Sequence, residues 1–135
     1  MPLRFSGSVW CALLVALAFA TAPALADGGH GGDRRDARVA GTCSKGATSE
    51  LRLRARDGSI RVEFRVRRRR AGEAWRVVLV HERRVAWRGA VRTSGSDGSF
   101  RVQRSLVDLD GPDQVSARAS GPNGSTCESS AMLTG

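Results

Sequence analysis

Five arginines of this sequence are spaced so that they could share one face of a β-sheet. Along an extended strand, side chains two residues apart project from the same side. A guanidinium group binds a phosphate or a carboxylate through two parallel hydrogen bonds. The spacing therefore predicts a basic face that binds an anionic polymer, such as a teichoic-acid-like polymer of the cell envelope or a nucleic acid. The predicted binding residues are Arg52, Arg54, Arg61, Arg65 and Arg67, and Arg68, Arg69 and Arg70 extend the patch.

Composition allows a second interpretation, in which these arginines only form a soluble surface and have no binding role. The net charge of +9 suits nucleic acid, anionic lipid headgroups or acidic wall polymers as partners. Lys45 is the single lysine among 22 lysine and arginine residues, however, an imbalance typical of codon bias in a high-GC genome. Glu50 and Glu63 lie among the arginines and neutralise part of their charge. No aromatic residue alternates with them, as a platform for single-stranded nucleic acid requires, and charged strands also prevent sheets from aggregating.

The histidine and carboxylate residues form no recognisable catalytic or metal-binding pattern. His81 stands beside Glu82 at the end of a predicted strand, whereas nucleophilic catalysis needs a nucleophile, a base and a group that orients the base. Asp108, Asp110 and Asp113 fall in a predicted turn, where Asp bonds to the local backbone. This turn lacks the later glutamate of a calcium loop. We therefore expect no enzyme activity, no metal site and no cofactor.

The first 26 residues have the three parts of a secretory signal peptide. Arg4 precedes an apolar run over residues 9–20, and Ala24 and Ala26 occupy the small-residue positions of a cleavage site. The run is shorter than the roughly 20 residues that a membrane-spanning helix needs. We therefore predict cleavage after Ala26, a mature chain without a transmembrane segment, and a secreted or extracytoplasmic protein that could associate with the cell envelope.

Cleavage at this point also settles the number of cysteines. Cys11 is removed with the signal peptide, which leaves Cys43 and Cys127 in a compartment that permits disulfides. Two cysteines without a nearby histidine are too few ligands for a structural zinc site. The sequence therefore predicts a Cys43–Cys127 disulfide that joins the two ends of the folded domain, and two free thiols are the alternative.

The mature chain divides into two parts by composition. Residues 27–36 consist of glycine, His30 and charged residues, so nothing there can pack into a core, and we predict a flexible leader. Residues 37–135 have the length of one domain. This second part carries alternating apolar and polar residues, the pattern typical of strands.

Asp57 and Gly58 lie between two alternating runs and predict a β-hairpin with a two-residue turn. A slip of one residue would turn the apolar face of both strands to water. The register is therefore predicted residue by residue. The apolar pairs are Ala55–Ile60, Leu53–Val62 and Leu51–Phe64, and the pairs on the opposite face are Arg54–Arg61, Arg52–Glu63 and Glu50–Arg65.

The remaining segments complete a mainly β fold. Strand-like runs at residues 37–43, 74–81, 85–91, 99–107, 114–120 and 125–133 bring the total to about seven or eight strands. The nearly continuous apolar run of residues 74–81 is typical of a central strand covered on both faces, with a short buried helix as the alternative. Trp75 and Trp87 are both expected in the core. We predict an antiparallel two-sheet sandwich, immunoglobulin-like, with one disulfide. The cysteines lie on the first and last strands, which departs from the inter-sheet pair of immunoglobulin domains.

The mature chain also resembles small exported β-sandwich proteins of high-GC actinobacteria that have no assigned function. The resemblance rests on the stretches VAGTCSKGATSELRLRARDGSIRVEFRV and AWRVVLVHERRVAWRG and on the late Cys127, and it covers residues 37–131. It implies a secreted sandwich and supplies no catalytic residues. We therefore expect a non-enzymatic binding module that uses the arginines against an anionic polymer. The alternative is a module, of the inhibitor or adhesion type, that binds another secreted protein through its loops or a sheet edge.

Overall fold

A computed structural model describes residues 35–135 of the chain, which form nine strands. The predicted signal peptide of residues 1–26 and the predicted leader up to residue 34 lie outside the described residues. The first strand begins two residues before the predicted start of the domain. The strands are β1 (Arg35–Ala40), β2 (Thr42–Cys43), β3 (Thr48–Arg56), β4 (Ser59–Arg67), β5 (Ala74–His81), β6 (Arg84–Arg92), β7 (Ser99–Val107), β8 (Asp113–Ser120) and β9 (Thr126–Leu133).

The strands form two antiparallel sheets, which confirms the predicted two-sheet sandwich. Sheet I has the order β1-β3-β4-β7, and sheet II has the order β2-β9-β8-β5-β6. The strand count exceeds the prediction because the run at residues 37–43 divides at Gly41. Its first half pairs with β3 in sheet I, and its second half pairs with β9 in sheet II. The immunoglobulin-like character stays a prediction.

Gly41 is required where the chain passes from one sheet to the other. A Cβ atom at this position would lie 2.6 Å from the backbone oxygen of Glu128 and would overlap the hydroxyl groups of Ser49 and Ser129. We expect Gly41→Ala to lower the free energy of unfolding by about 1–3 kcal/mol, because the sheets must move apart locally to admit the methyl group. Urea unfolding measures this change. Equal stability of the variant and the native protein would contradict the close approach.

The β3–β4 hairpin has the predicted register at every position. Asp57 and Gly58 have φ values of 50° and 75°, the two positive angles that the predicted turn requires. The inward side chains Leu51, Leu53 and Phe64 are 0% exposed. Burial of this face against sheet II leaves the alternate residues of both strands on the outer surface of sheet I.

The prediction for β5 is correct in location and wrong in burial. Trp75, Val77 and Leu79 are buried in the core, whereas Val78 and Val80 lie half-exposed on the outer face of sheet II. Sheet II is covered on one side only, by sheet I, so the outer apolar residues of β5 stay partly in contact with solvent.

The two tryptophans have different environments. Trp75 is 1% exposed, as expected for a core residue, and its ring centre lies 5.7 Å from that of Phe100. Trp87 is only half-buried. The guanidinium carbon of Arg104 lies 4.3 Å from the centre of the Trp87 ring, a cation–π contact at the side of the sandwich where β6 and β7 meet.

The Cys43–Cys127 disulfide is present, with an S–S distance of 2.07 Å and a sequence separation of 84 residues. Cys43 lies directly opposite Cys127 in the pairing of β2 with β9. The bond therefore joins neighbouring strands within sheet II. Within residues 35–135, no helix is both long and apolar enough to cross a membrane.

Candidate polyanion-binding face

The outer surface of sheet I carries the five predicted arginines and three more. All of them occupy positions that alternate with the buried residues of their strands, so their side chains leave the same side of the sheet. We call this surface the basic face. Its arginines are Arg38 of β1, Arg52, Arg54 and Arg56 of β3, Arg61, Arg65 and Arg67 of β4, and Arg101 of β7.

Asp97, in the loop before β7, pairs with two of the predicted arginines. Its Oδ2 lies 3.0 Å from Nη2 of Arg65 and 3.7 Å from Nε of Arg67. The Ser99 hydroxyl donates to Asp97 Oδ1 at 2.8 Å. This hydrogen bond, together with the Arg65 and Arg67 guanidinium groups, lowers the pKa of the Asp97 carboxyl. Arg65 and Arg67 are therefore partly neutralised by a residue far from them in sequence.

The two glutamates of the basic face pair with arginines of the outer strands. Glu50 accepts from Arg38 at 2.8 Å, which raises the pKa of that guanidinium group. Glu63 lies 3.6 Å from Nε of Arg101 and accepts a hydrogen bond from the Gln103 amide at 2.9 Å. The predicted cross-strand pairs Glu50–Arg65 and Arg52–Glu63 are neighbours in register, yet the carboxylates bind these other arginines instead.

Four arginines of the basic face remain. Arg56 lies beside the hairpin turn, whereas Arg52, Arg54 and Arg61 lie in the middle of the face, and we call these three the central triad. Among residues 35–135, none of the three forms an ion pair. Arg54 lies directly opposite Arg61 in the register of β3 and β4. Like charges in this position repel and destabilise a sheet. Asp36 of β1 lies opposite Arg54 on its other side but forms no ion pair with it. The central triad therefore concentrates positive charge that no ion pair among residues 35–135 neutralises.

The sequence predicted that the basic patch extends to Arg68. In the structure, Arg68 is not part of the basic face. The side chain of Arg68 is 14% exposed, lies 3.5 Å from Glu73 and donates to the backbone oxygen of Lys45. Arg69 follows with a φ of 64°, in the left-handed region, so the strand geometry has already ended. Alternation in sequence could not predict this, because it carries no information on where β4 stops.

Comparison of the chain with protein families, curated proteins and solved structures gives no match. The resemblance to exported actinobacterial proteins stays a prediction.

Two acidic residues of the predicted β7–β8 turn, Asp108 and Asp113, form a side-chain hydrogen bond. Asp113 is 0% exposed, Asp108 is half-buried, and Asp110 is exposed. Asp108 Oδ2 lies 2.6 Å from Nη2 of Arg35, and this guanidinium group lowers the pKa of the Asp108 carboxyl. Asp113 also contacts His81, a pairing that sequence reasoning missed because the two lie 32 positions apart, with no local pattern to relate them.

Proposed function

We propose that the protein is a secreted, non-enzymatic binding module whose basic face holds an anionic polymer. The observation that carries the proposal is the central triad, three neighbouring arginines that form no ion pair among the described residues. The other predicted arginines, Arg65 and Arg67, share Asp97. A repulsive Arg54–Arg61 pair costs stability in the free protein. An anion bound between the two guanidinium groups would remove that cost.

The spacing of the triad suits a polymer with repeated anionic groups. Arg52 and Arg54 are two residues apart on one strand, a distance of about 6–7 Å, and Arg61 is on the adjacent strand about 5 Å away. Each guanidinium group can bind a phosphate through two parallel hydrogen bonds. The hairpin backbone is paired on both sides, by β1 and β7, and therefore holds the three groups in a fixed arrangement.

A phosphodiester polymer without base recognition fits this face best. No aromatic side chain is placed on the outer surface of β3 and β4, so the stacking that binds single-stranded nucleic acid is missing there. The predicted signal peptide, together with a disulfide formed by the mature chain, supports an extracytoplasmic location, where wall polymers of the teichoic-acid type occur. Binding of another secreted protein stays the alternative.

Charge reversal in the central triad tests the proposal. We expect Arg54→Glu/Arg61→Glu to weaken binding to poly(glycerol phosphate) by about tenfold or more at low salt, because two phosphate contacts are replaced by two repulsive charges. The slope of log affinity against log salt should fall by about two. Retention on an immobilised polymer, eluted with a sodium chloride gradient, measures both quantities.

The matched control is Arg76→Glu/Arg88→Glu, which makes the same change in net charge on the outer face of sheet II. Arg76 and Arg88 are exposed and lie on β5 and β6. This control should retain most of the affinity. An equal loss in both variants would show that net charge alone retains the protein, and undiminished binding of Arg54→Glu/Arg61→Glu would exclude the basic face.

A further inference from the structure

Three side chains with metal-binding chemistry meet at the end of the sandwich where β5 ends and β8 begins. His81 is the last residue of β5, Glu82 follows it in the β5–β6 turn, and Asp113 is the first residue of β8. Each offers one nitrogen or oxygen atom, and these atoms all lie within 4.8 Å of one another. The cluster belongs to sheet II and the basic face to sheet I, so a ligand bound at the cluster would be independent of the proposed function.

Strand pairing holds His81 and Asp113 in place, and a backbone hydrogen bond to β8 holds Glu82 in the turn. His81 pairs with Val115 in the register of β5 and β8. The backbone N–H of Glu82 donates to the backbone oxygen of Gln114 at 3.0 Å. Sites built on paired strands are held more firmly than sites on loops. Two of the three ligands therefore lie on paired strands of sheet II, and the third lies in a turn whose backbone is bonded to that sheet.

Existing hydrogen bonds orient the ligand atoms. Nε2 of His81 lies 2.6 Å from Oδ1 of Asp113. The backbone N–H of Leu109 donates to the same oxygen at 3.4 Å, and the backbone N–H of Gln114 donates to Oε1 of Glu82. Oε2 of Glu82 has no partner among residues 35–135. Backbone groups thus position both carboxylates, as the outer contacts of a metal site do.

A second, independent observation points to a cation as the ligand of this cluster. The side chain of Asp113 is 0% exposed, yet its Oδ2 is buried without a hydrogen-bond partner in the part of the chain that the structure describes. Oδ1 of Asp108 is buried in the same way, and the carboxyl groups of Asp108 and Asp113 lie in hydrogen-bond contact. Two carboxylates that share a buried site need a proton or a cation between them. A buried carboxylate that lacks a donor or a positive charge on one oxygen is strongly unfavourable. A divalent ion bound at Asp113 supplies that charge.

We propose that His81, Glu82 and Asp113 bind a zinc ion. One imidazole and two carboxylates match the ligand preference of Zn²⁺, whereas Ca²⁺ takes six to eight oxygen ligands. Tetrahedral Zn²⁺ with bonds of about 2.0–2.2 Å holds neighbouring ligand atoms about 3.3–3.6 Å apart. The His81–Asp113 contact of 2.6 Å would therefore open by less than about 1 Å.

The surroundings give the ion access to solvent. Glu82 is exposed and the side chain of His81 is 11% exposed, so the ion can enter from the β5–β6 turn. Water would complete its coordination there. The ion would tie the β5–β6 turn to the start of β8 and stabilise that end of sheet II.

Zinc titration of the untagged protein tests the site, after treatment with EDTA and dialysis. Calorimetry should give one zinc ion per chain. At a free zinc concentration about 100 times the dissociation constant, the thermal midpoint should rise by roughly 10 °C. Glu82→Gln should bind zinc at least about tenfold more weakly, since the amide keeps the oxygen that accepts from Gln114 but loses the negative charge. His81→Gln should lose binding.

Two control variants separate this site from other sources of zinc affinity. Glu128→Gln removes the same charge from an exposed position on the outer face of sheet II and should leave the affinity unchanged. His30→Gln removes the other histidine of the chain and should also leave it unchanged. Absence of a zinc-dependent rise in the midpoint overturns the proposal. So does zinc binding that survives both Glu82→Gln and His81→Gln, or binding that disappears in His30→Gln.

Discussion

Trp75→Ala is expected to lower the free energy of unfolding by about 3–5 kcal/mol, the cost usual for removing a buried tryptophan. Trp75 is 1% exposed, and its ring packs against that of Phe100 at a centre-to-centre distance of 5.7 Å. The backbone of Gly121 lies so close to the indole ring that a Cβ atom there would overlap it. The strands around Trp75 are fixed by their hydrogen bonds, so they do not move together to fill the cavity that the substitution leaves.

The fall in the free energy of unfolding caused by Trp75→Ala would come from lost packing contacts alone. The indole nitrogen of Trp75 has no acceptor among residues 35–135, so the substitution breaks no hydrogen bond. Trp87→Ala is the matched control, because Trp87 is half-buried and stacks on Arg104 at the side of the sandwich. We expect it to cost less than half as much as Trp75→Ala. Urea unfolding followed by circular dichroism measures both, and equal costs would contradict the assignment of Trp75 to the centre of the core.

Removal of the disulfide should have the second largest effect, about 2–4 kcal/mol of the free energy of unfolding. Cys43 and Cys127 are 84 residues apart, so the bond closes most of the domain into a loop and restricts the unfolded chain. In the folded protein the same bond anchors β2, which has two residues and pairs only with β9.

Urea unfolding with and without a reductant measures the contribution of the disulfide. For a domain of this size, about 2–4 kcal/mol corresponds to a fall of roughly 10–20 °C in the thermal midpoint. The Cys43→Ser/Cys127→Ser variant should show a similar loss and no further response to reductant. An unchanged midpoint in protein whose thiols are shown by mass spectrometry to be free would contradict the prediction.

The β3–β4 hairpin could be predicted from sequence because its determinants are local. Alternation of period two assigns each side chain to a face, and Asp57-Gly58 supplies the two positive φ angles of the turn. Both signals lie within one continuous stretch of chain. The register and the outward direction of the five arginines therefore follow from the residues of the hairpin itself.

Which arginines of the basic face form ion pairs could not be predicted in the same way. Asp97 reaches Arg65 and Arg67 because the β6–β7 loop meets the end of β4. Gln103 and Arg101 reach Glu63 because β7 pairs with β4 across 40 residues of sequence. Only these long-range contacts separate the paired arginines from the central triad.

Sequence alone determined the alternation of buried and exposed residues and the hairpin register, since both depend on neighbouring residues. It also determined the pairing of the cysteines, because only two of them remain after the predicted cleavage. Tertiary structure decided that the chain changes sheets at Gly41, that the disulfide lies within sheet II, and that His81 meets Asp113. Each of these depends on which strands become neighbours. Strand order is set by how two sheets bury their apolar faces together, and no local pattern carries that information.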